Sequence, residues 1–149
     1  MPKVLITGAN RGIGLEFVRQ YSELNWEVIA TCRNLDNAKE LNKLVGKHPN
    51  MIKVYCLNVL IHKSIDDFSK LIHEEPIDLL INNAGVIGPT REEISGQSFG
   101  SMDYKIWEDV FRTNTIGPFK VTESLYKNLE LGKQKKVVVI SSTVGSNIE

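Results

Sequence analysis

Three glycines and two arginines near the start of the chain are the residues whose types and spacing first suggest chemistry. Gly8, Gly12 and Gly14 lie in "TGANRGIG", directly after a short apolar run. The spacing, G-x-x-x-G-x-G, differs from the commoner dinucleotide pattern G-x-G-x-x-G. The physical demand is similar. One glycine permits a tight turn, another lets the backbone approach a pyrophosphate, and the last lets a helix pack on a strand. A helix N-terminus adds free amides and partial positive charge for the phosphates. Arg33 follows the second apolar run in "TCRN", where an NAD site usually carries an acid for the ribose 2′-hydroxyl. Arg11, in the glycine loop, can converge on the same spot. Guanidinium groups suit a 2′-phosphate, because their planar fork binds it in a bidentate manner. The pattern points to NADP(H), with NAD the lesser alternative; the other reading is a pair of solvated arginines.

Further polar residues follow later apolar runs. Asn58 and Val59 come after "MIKVYCL", and Asn83, Ala84 and Gly85 after "IDLLIN". Asn114 lies in "TNTIGP", and Ser141 and Ser142 end the last apolar run. Each has an ordinary reading. Asparagines and a glycine make a strand-ending turn, a mid-helix Asn satisfies a distortion before Pro118, and a serine after a strand is usually a loop residue. Cys32 and Cys56 lack metal-like spacing and read as small buried thiols in strands. His48, His62 and His73 form no cluster, so no metal site is expected.

The elements that must position these residues alternate. Strands are predicted over Lys3 to Thr7, Glu27 to Cys32, Met51 to Leu57, Ile77 to Asn82 and Lys136 to Ser141. The first helix shows Ile13, Phe17, Tyr21 and Leu24 on one face, and the second shows Ala38, Leu41 and Val45. Ser64 and Asp67 read as a capping box for the third, with Ile65, Phe68 and Ile72 inward. A long helix is expected from about Asp103 to Leu129, kinked at Gly117-Pro118. Such alternation calls for an α/β domain with a parallel sheet covered on both faces. Right-handed crossovers favour a doubly wound sheet of order 3-2-1-4-5.

A chain of 149 residues with 42% apolar and 24% charged residues reads as a single globular domain. Eighteen basic residues balance eighteen acidic ones, so no general field draws nucleic acid or anionic membrane. The "GKQKK" run reads as a solvated turn. No apolar run has transmembrane length, and the start carries no secretory pattern, so the expected compartment is the cytosol.

Taken together, "TGANRGIG", "NNAG" at Asn82 to Gly85, Asn114 in "TNTIGP", and "ISS" with Gly145 resemble the short-chain dehydrogenase/reductase family. Their mixture is similar to its NADP-using carbonyl-reductase and C-factor-like branch. The resemblance spans the whole chain and implies a Rossmann-type fold, with hydride passing between NADP(H) and a small carbonyl or alcohol substrate. By position it implies cofactor binding through Gly8, Asn10, Arg11, Gly12, Ile13, Gly14 and Arg33. Asn58 and Val59, then Asn83, Ala84 and Gly85, would border the adenosine side. Asn58 stands where the family usually has Asp. Ser142 matches the serine that holds the substrate oxygen, and Asn114 the asparagine that positions a water in the proton relay.

The family's proton donor is a Tyr with a Lys four residues later, the Lys charge lowering the Tyr pKa. Here Tyr21, Tyr55, Tyr104 and Tyr126 are followed at that distance by Asn25, Val59, Glu108 and Glu130. The expectation is therefore a cofactor-binding portion of a longer enzyme, truncated after the fifth strand and inactive alone. Its fifth strand would then be an exposed edge, giving marginal stability or self-association and leaving a homo-oligomer open. The alternative function is a non-catalytic dinucleotide-binding sensor or interaction module. A fold for some other nucleotide fits less well with "NNAG" and the serine loop together.

Overall fold

In the computed structural model, which describes residues 1–88 and 99–142, strands and helices alternate from Lys3 onward. The strands are β1 (Lys3–Ile6), β2 (Glu27–Cys32), β3 (Ile52–Cys56), β4 (Leu79–Asn82) and β5 (Lys136–Val139). They form one parallel sheet of order β3-β2-β1-β4-β5, the doubly wound α/β arrangement expected. The crossover helices are α1 (Gly12–Glu23), α2 (Lys39–Lys47) and α3 (His62–Leu71). Between β4 and β5 come α4 (Tyr104–Phe111), a π-helical turn (Arg112–Ile116), α5 (Gly117–Ser124) and α6 (Tyr126–Leu131).

Strand alternation splits the core between the two faces of the sheet. On one face Val4, Ile6, Val28, Ala30 and Ile81 pack with Val18 of α1 and Leu41 of α2. On the other, Leu5, Ile29 and Leu80 pack with Ile65 and Phe68 of α3 and with Val121 and Leu125. All of these side chains are buried, so the central strands are fixed from both sides. Among the described residues β5 pairs only with β4, at one end of the strand order, and Val137, Val138 and Val139 are exposed.

Four local expectations are corrected. α1 buries Gly14, Val18 and Ser22, whereas Ile13 and Leu24 are exposed. The start of α1 lies so close to the glycine loop that small residues must face the sheet. No capping box opens α3: its N-cap is Ile61, the Ser64 hydroxyl accepts the Asn58 N–H at 3.0 Å, and Asp67 pairs with Lys63. The long helix is interrupted twice, by the π-helical turn before Pro118 and by a break at Leu125. Of the two thiols, Cys32 is buried but Cys56 is exposed, because β3 ends at the uncovered rim of the sheet.

Candidate functional site: a cleft at the carboxyl ends of the strands

In an open parallel sheet the ends of central strands leave a crevice where neighbouring crossovers diverge to opposite faces. β1 and β4 are that pair here. After β1 the chain turns with Gly8 at φ 66° and Gly12 at φ 57°, and α1 starts at Gly12 with no side chain capping it. The amides of its first turn lack intrahelical acceptors and face the region where an anion is best held.

The glycines are demanded by close approach. A Cβ on Gly8 would stand 2.9 Å from the Ala84 Cα, and one on Gly14 would stand 2.3 Å from the Gly8 carbonyl oxygen. Asn83 locks this contact: its Nδ2 donates to the carbonyls of Thr7 and Gly8, both at 3.0 Å. The Thr7 hydroxyl oxygen in turn accepts the N–H groups of Asn83 and Ala84, both at 3.0 Å. Thr7 was not among the expected site residues. Its signal was a hydroxyl at the end of the central strand, opposite a neighbouring strand that ends in paired asparagines.

Around the cleft stand Gly8, Asn10, Arg11 and Gly12 from the glycine loop, and Arg33 from the end of β2. Asn58 and Val59 follow β3, and Asn83, Ala84 and Gly85 follow β4. Sequence reasoning had not included Cys32, Leu57, Val86 and Thr113, which also line it. Among the described residues the lining holds two arginines and no carboxylate. Both arginines are exposed, and no ion pair involves either among the described residues.

Four expected residues lie outside that lining. Ile13 is 60% exposed on the outer side of the first turn, leaving only its main-chain amide at the N-terminal end of α1. Gly14 acts through packing against Gly8. Asn114, within the π-helical turn, grips main chain: its Oδ1 accepts the Val86 N–H at 2.9 Å and its Nδ2 donates to the Val86 carbonyl at 2.7 Å. Asn114 therefore fixes the segment after β4, the wall of the cleft. Ser142 is exposed beyond β5, which is tied to β4 there by the Ile140 N–H on the Asn82 carbonyl at 3.0 Å. Gly145 lies outside the described residues.

Asn58 also differs from its expected use. Its side-chain oxygen accepts the Leu60 N–H at 3.1 Å, forming a local turn, so an adenine amino group must share that oxygen. Among the described residues no group of His, Cys, Asp and Glu could hold a metal ion, and no helix is long and apolar enough to cross a membrane.

The geometry has close counterparts. Salutaridine reductase of Papaver somniferum is 30% identical over 95% of this chain and 54% of its own length. Human retinol dehydrogenase 8 is 31% identical over 95% of this chain and 44% of its own. The chain thus spans about half the length of these relatives. Among solved structures, a carbonyl reductase from Pseudomonas aeruginosa PAO1 in complex with NADP superimposes with a TM-score of 0.84. It is 26% identical, and the match covers 99% of this chain and 64% of that one. A short-chain dehydrogenase/reductase from Burkholderia multivorans with bound NADP shares the fold, with a TM-score of 0.84 at 24% identity over 98% of this chain and 61% of its own. The family profile described as short chain dehydrogenase matches residues 2–148, and the chain belongs to the short-chain dehydrogenase family.

Proposed function

We infer that this chain is the NADP(H)-binding portion of an oxidoreductase that transfers hydride between the nicotinamide and a small carbonyl or alcohol. The observation that carries the cofactor choice is the cleft lined by Arg11 and Arg33, with no carboxylate among the described residues. An acid there would repel a 2′-phosphate, whereas guanidinium groups bind it through charge-assisted hydrogen bonds. The cradle fits a dinucleotide in a second respect, since side chains at Gly8 or Gly14 would collide with the strand-ending residues that shape it.

When bound, the nicotinamide supplies the hydride chemistry. The residues of this chain bind and orient. The first turn of α1 and the glycine loop hold the pyrophosphate, Arg11 and Arg33 the 2′-phosphate, and Asn58 and Val59 the adenine side. Asn83 and Thr7 hold the loop against β4, and Asn114 holds the Val86 main chain. Ser142 takes the role of hydrogen-bonding the substrate oxygen. Without a Tyr-x-x-x-Lys pair among its 149 residues, the chain by itself binds the dinucleotide and turns over no carbonyl. That same lack supports the second reading, a non-catalytic dinucleotide-binding module.

Equilibrium titration with NADPH and NADH tests the inference. One or two charge-assisted contacts correspond to about ten- to a hundredfold tighter binding of NADPH. Equal affinities, or a preference for NADH, would overturn it. Turnover of a panel of small aldehydes and ketones by the chain alone would remove the expectation of binding without catalysis.

A further inference from the structure

Cys32 and Cys56 are facing partners in the parallel register of β2 and β3, at the last position of each strand. In-register residues on neighbouring strands lie about 4.8 Å apart, inside the range of about 4.4–6.8 Å that a disulfide spans between Cα atoms. Both side chains project to the same face. Cys32 belongs with Val28 and Ala30 to the core beneath α1 and α2, and Ile52 and Val54 of β3 pack there too, so the two-residue alternation puts Cys56 on that side. The sulfurs also meet the same short segment. Cys56 Sγ donates to the Arg33 carbonyl at 3.4 Å, and Cys32 Sγ to the Asn34 carbonyl at 3.5 Å.

We propose that Cys32 and Cys56 form a reversible dithiol that exchanges with low-molecular-weight disulfides such as oxidised glutathione and thereby weakens the nucleotide cleft. Only Cys56 is reachable from solvent, since Cys32 is 2% exposed. The Cys56 thiolate attacks one sulfur of the small disulfide, which leaves as a thiolate, and a mixed disulfide remains on Cys56. The Cys32 thiolate then attacks the Cys56 sulfur and expels the second small thiol. Two electrons pass from the protein thiols to the small disulfide, and the two thiol protons end on the two released thiols. Burial pushes the Cys32 thiol up, so this second step is the slow one and accelerates as pH rises.

The consequence follows from what the bond removes. Both S–H donors disappear, and with them the two contacts that hold the carbonyls of Arg33 and Asn34. Arg33 lines the cleft, and so do Leu57 and Asn58, which directly follow Cys56. Drawing the two strand ends together thus shifts the arginine placed on the 2′-phosphate and the wall placed on the adenine. The effect on the cleft rests on the dinucleotide reading above; formation of the bond does not.

The test treats the whole chain with oxidised glutathione between pH 7 and 9, then maps peptides without reduction and titrates NADPH before and after. The expected product lacks two hydrogens and yields one linked Cys32–Cys56 peptide, forming faster at higher pH. NADPH affinity falls about tenfold, a change of about 1.4 kcal/mol, and dithiothreitol restores it. Cys32→Ser should stop at a glutathione adduct on Cys56, and Cys56→Ser should stay unmodified, with an NADPH affinity that oxidised glutathione does not change. A persistent adduct on wild-type Cys56, a bond between two chains, or no modification would overturn the pair. A linked peptide with unchanged NADPH affinity would overturn its effect on the cleft. Failure of the reduced protein to bind NADPH would instead sink the dinucleotide reading. The linked peptide would still decide the dithiol, and hydrogen exchange at residues 33–36 and 57–60 its effect on the cleft.

Discussion

The two ends of the sheet use polar residues in opposite ways. At the amino end, Asp78 accepts three main-chain N–H groups, from Lys3 at 2.8 Å, Lys133 at 2.8 Å and Gln134 at 3.2 Å. Lys3 Nζ lies 2.9 Å from Glu75 and 3.4 Å from Glu27. At the carboxyl end the first turn of α1 is uncapped, and Arg11 and Arg33 stand exposed. The hollow at the amino end is the larger, about 820 Å³ against about 200 Å³, yet Lys3, Glu27 and Asp78 in its wall already have partners within the protein. Size does not identify the ligand site. What identifies it is polar capacity that the fold itself does not consume.

Substitutions that close the cleft should break this contrast most strongly. Gly14→Ala places a Cβ 2.3 Å from the Gly8 oxygen and 2.5 Å from Asn83 Nδ2, both held by the Asn83 hydrogen bonds. We expect a loss of about 3 kcal/mol in urea unfolding together with loss of measurable NADPH binding. Retention of both would mean that the loop does not depend on this contact.

At the opposite end, Asp78→Ala should cost about 2 kcal/mol and leave the affinity of the folded protein for NADPH unchanged, because the acceptor serves three partly buried main-chain N–H groups far from the cleft. Burial alone would raise the Asp78 carboxyl, but the N–H groups of Lys3, Lys133 and Gln134 hold it below its ordinary value of 3.8. Its contribution is therefore complete above that pH and is lost as pH falls through the lower folded value. Urea melts at stepped pH should show the gap between wild type and variant narrowing only in that acid range. A gap that closed near neutrality would contradict the assignment.

Arg33→Ala reverses the pattern, changing ligand choice without changing the fold. On the proposed reading, in which this exposed guanidinium meets only the 2′-phosphate, NADPH affinity should fall about tenfold, with NADH affinity and Tm unchanged. A parallel loss for NADH would place the arginine elsewhere on the nucleotide.

The carboxyl end was the more legible from sequence, and the reason is physical. Its glycines, arginines and asparagines sit in short local patterns, because each directly follows a strand. Strand order was legible too, from alternation together with the right-handedness of the crossovers. Asp78 was not, since its partners Lys3 and Lys133 are 75 and 55 residues away in the chain. The capping-box reading of Ser64 failed for a different, local reason: α3 starts before Ser64, whose hydroxyl accepts the N–H of Asn58 in the turn leading into the helix. The face of α1 was misread because periodicity counts apolar residues. A helix start pressed onto a glycine loop buries a small residue, here Gly14. Asn114 was found by position, but its grip on Val86 depends on the π-helical turn, which the pattern before Pro118 announced only as a kink.

The smallest effect tests how closed the amino end is. Glu75→Gln removes the charge that faces Lys3 at 2.9 Å and Lys53 at 3.4 Å. The Lys3 hydrogen bond holds the Glu75 carboxyl below its ordinary 4.5 against partial burial. The stabilisation is therefore present above that pH and fades as pH falls below it. Partly exposed pairs of this kind contribute about 0.5 kcal/mol, and the difference should vanish in about 1 M NaCl, where screening acts within about 3 Å. If the cost instead approached that of Asp78→Ala and resisted salt, the lysine and its acids would form a water-excluded network, and the amino end would be the more rigid pole of the sheet. If it were nil at every salt concentration, the clamp would reduce to Asp78 and its three N–H groups.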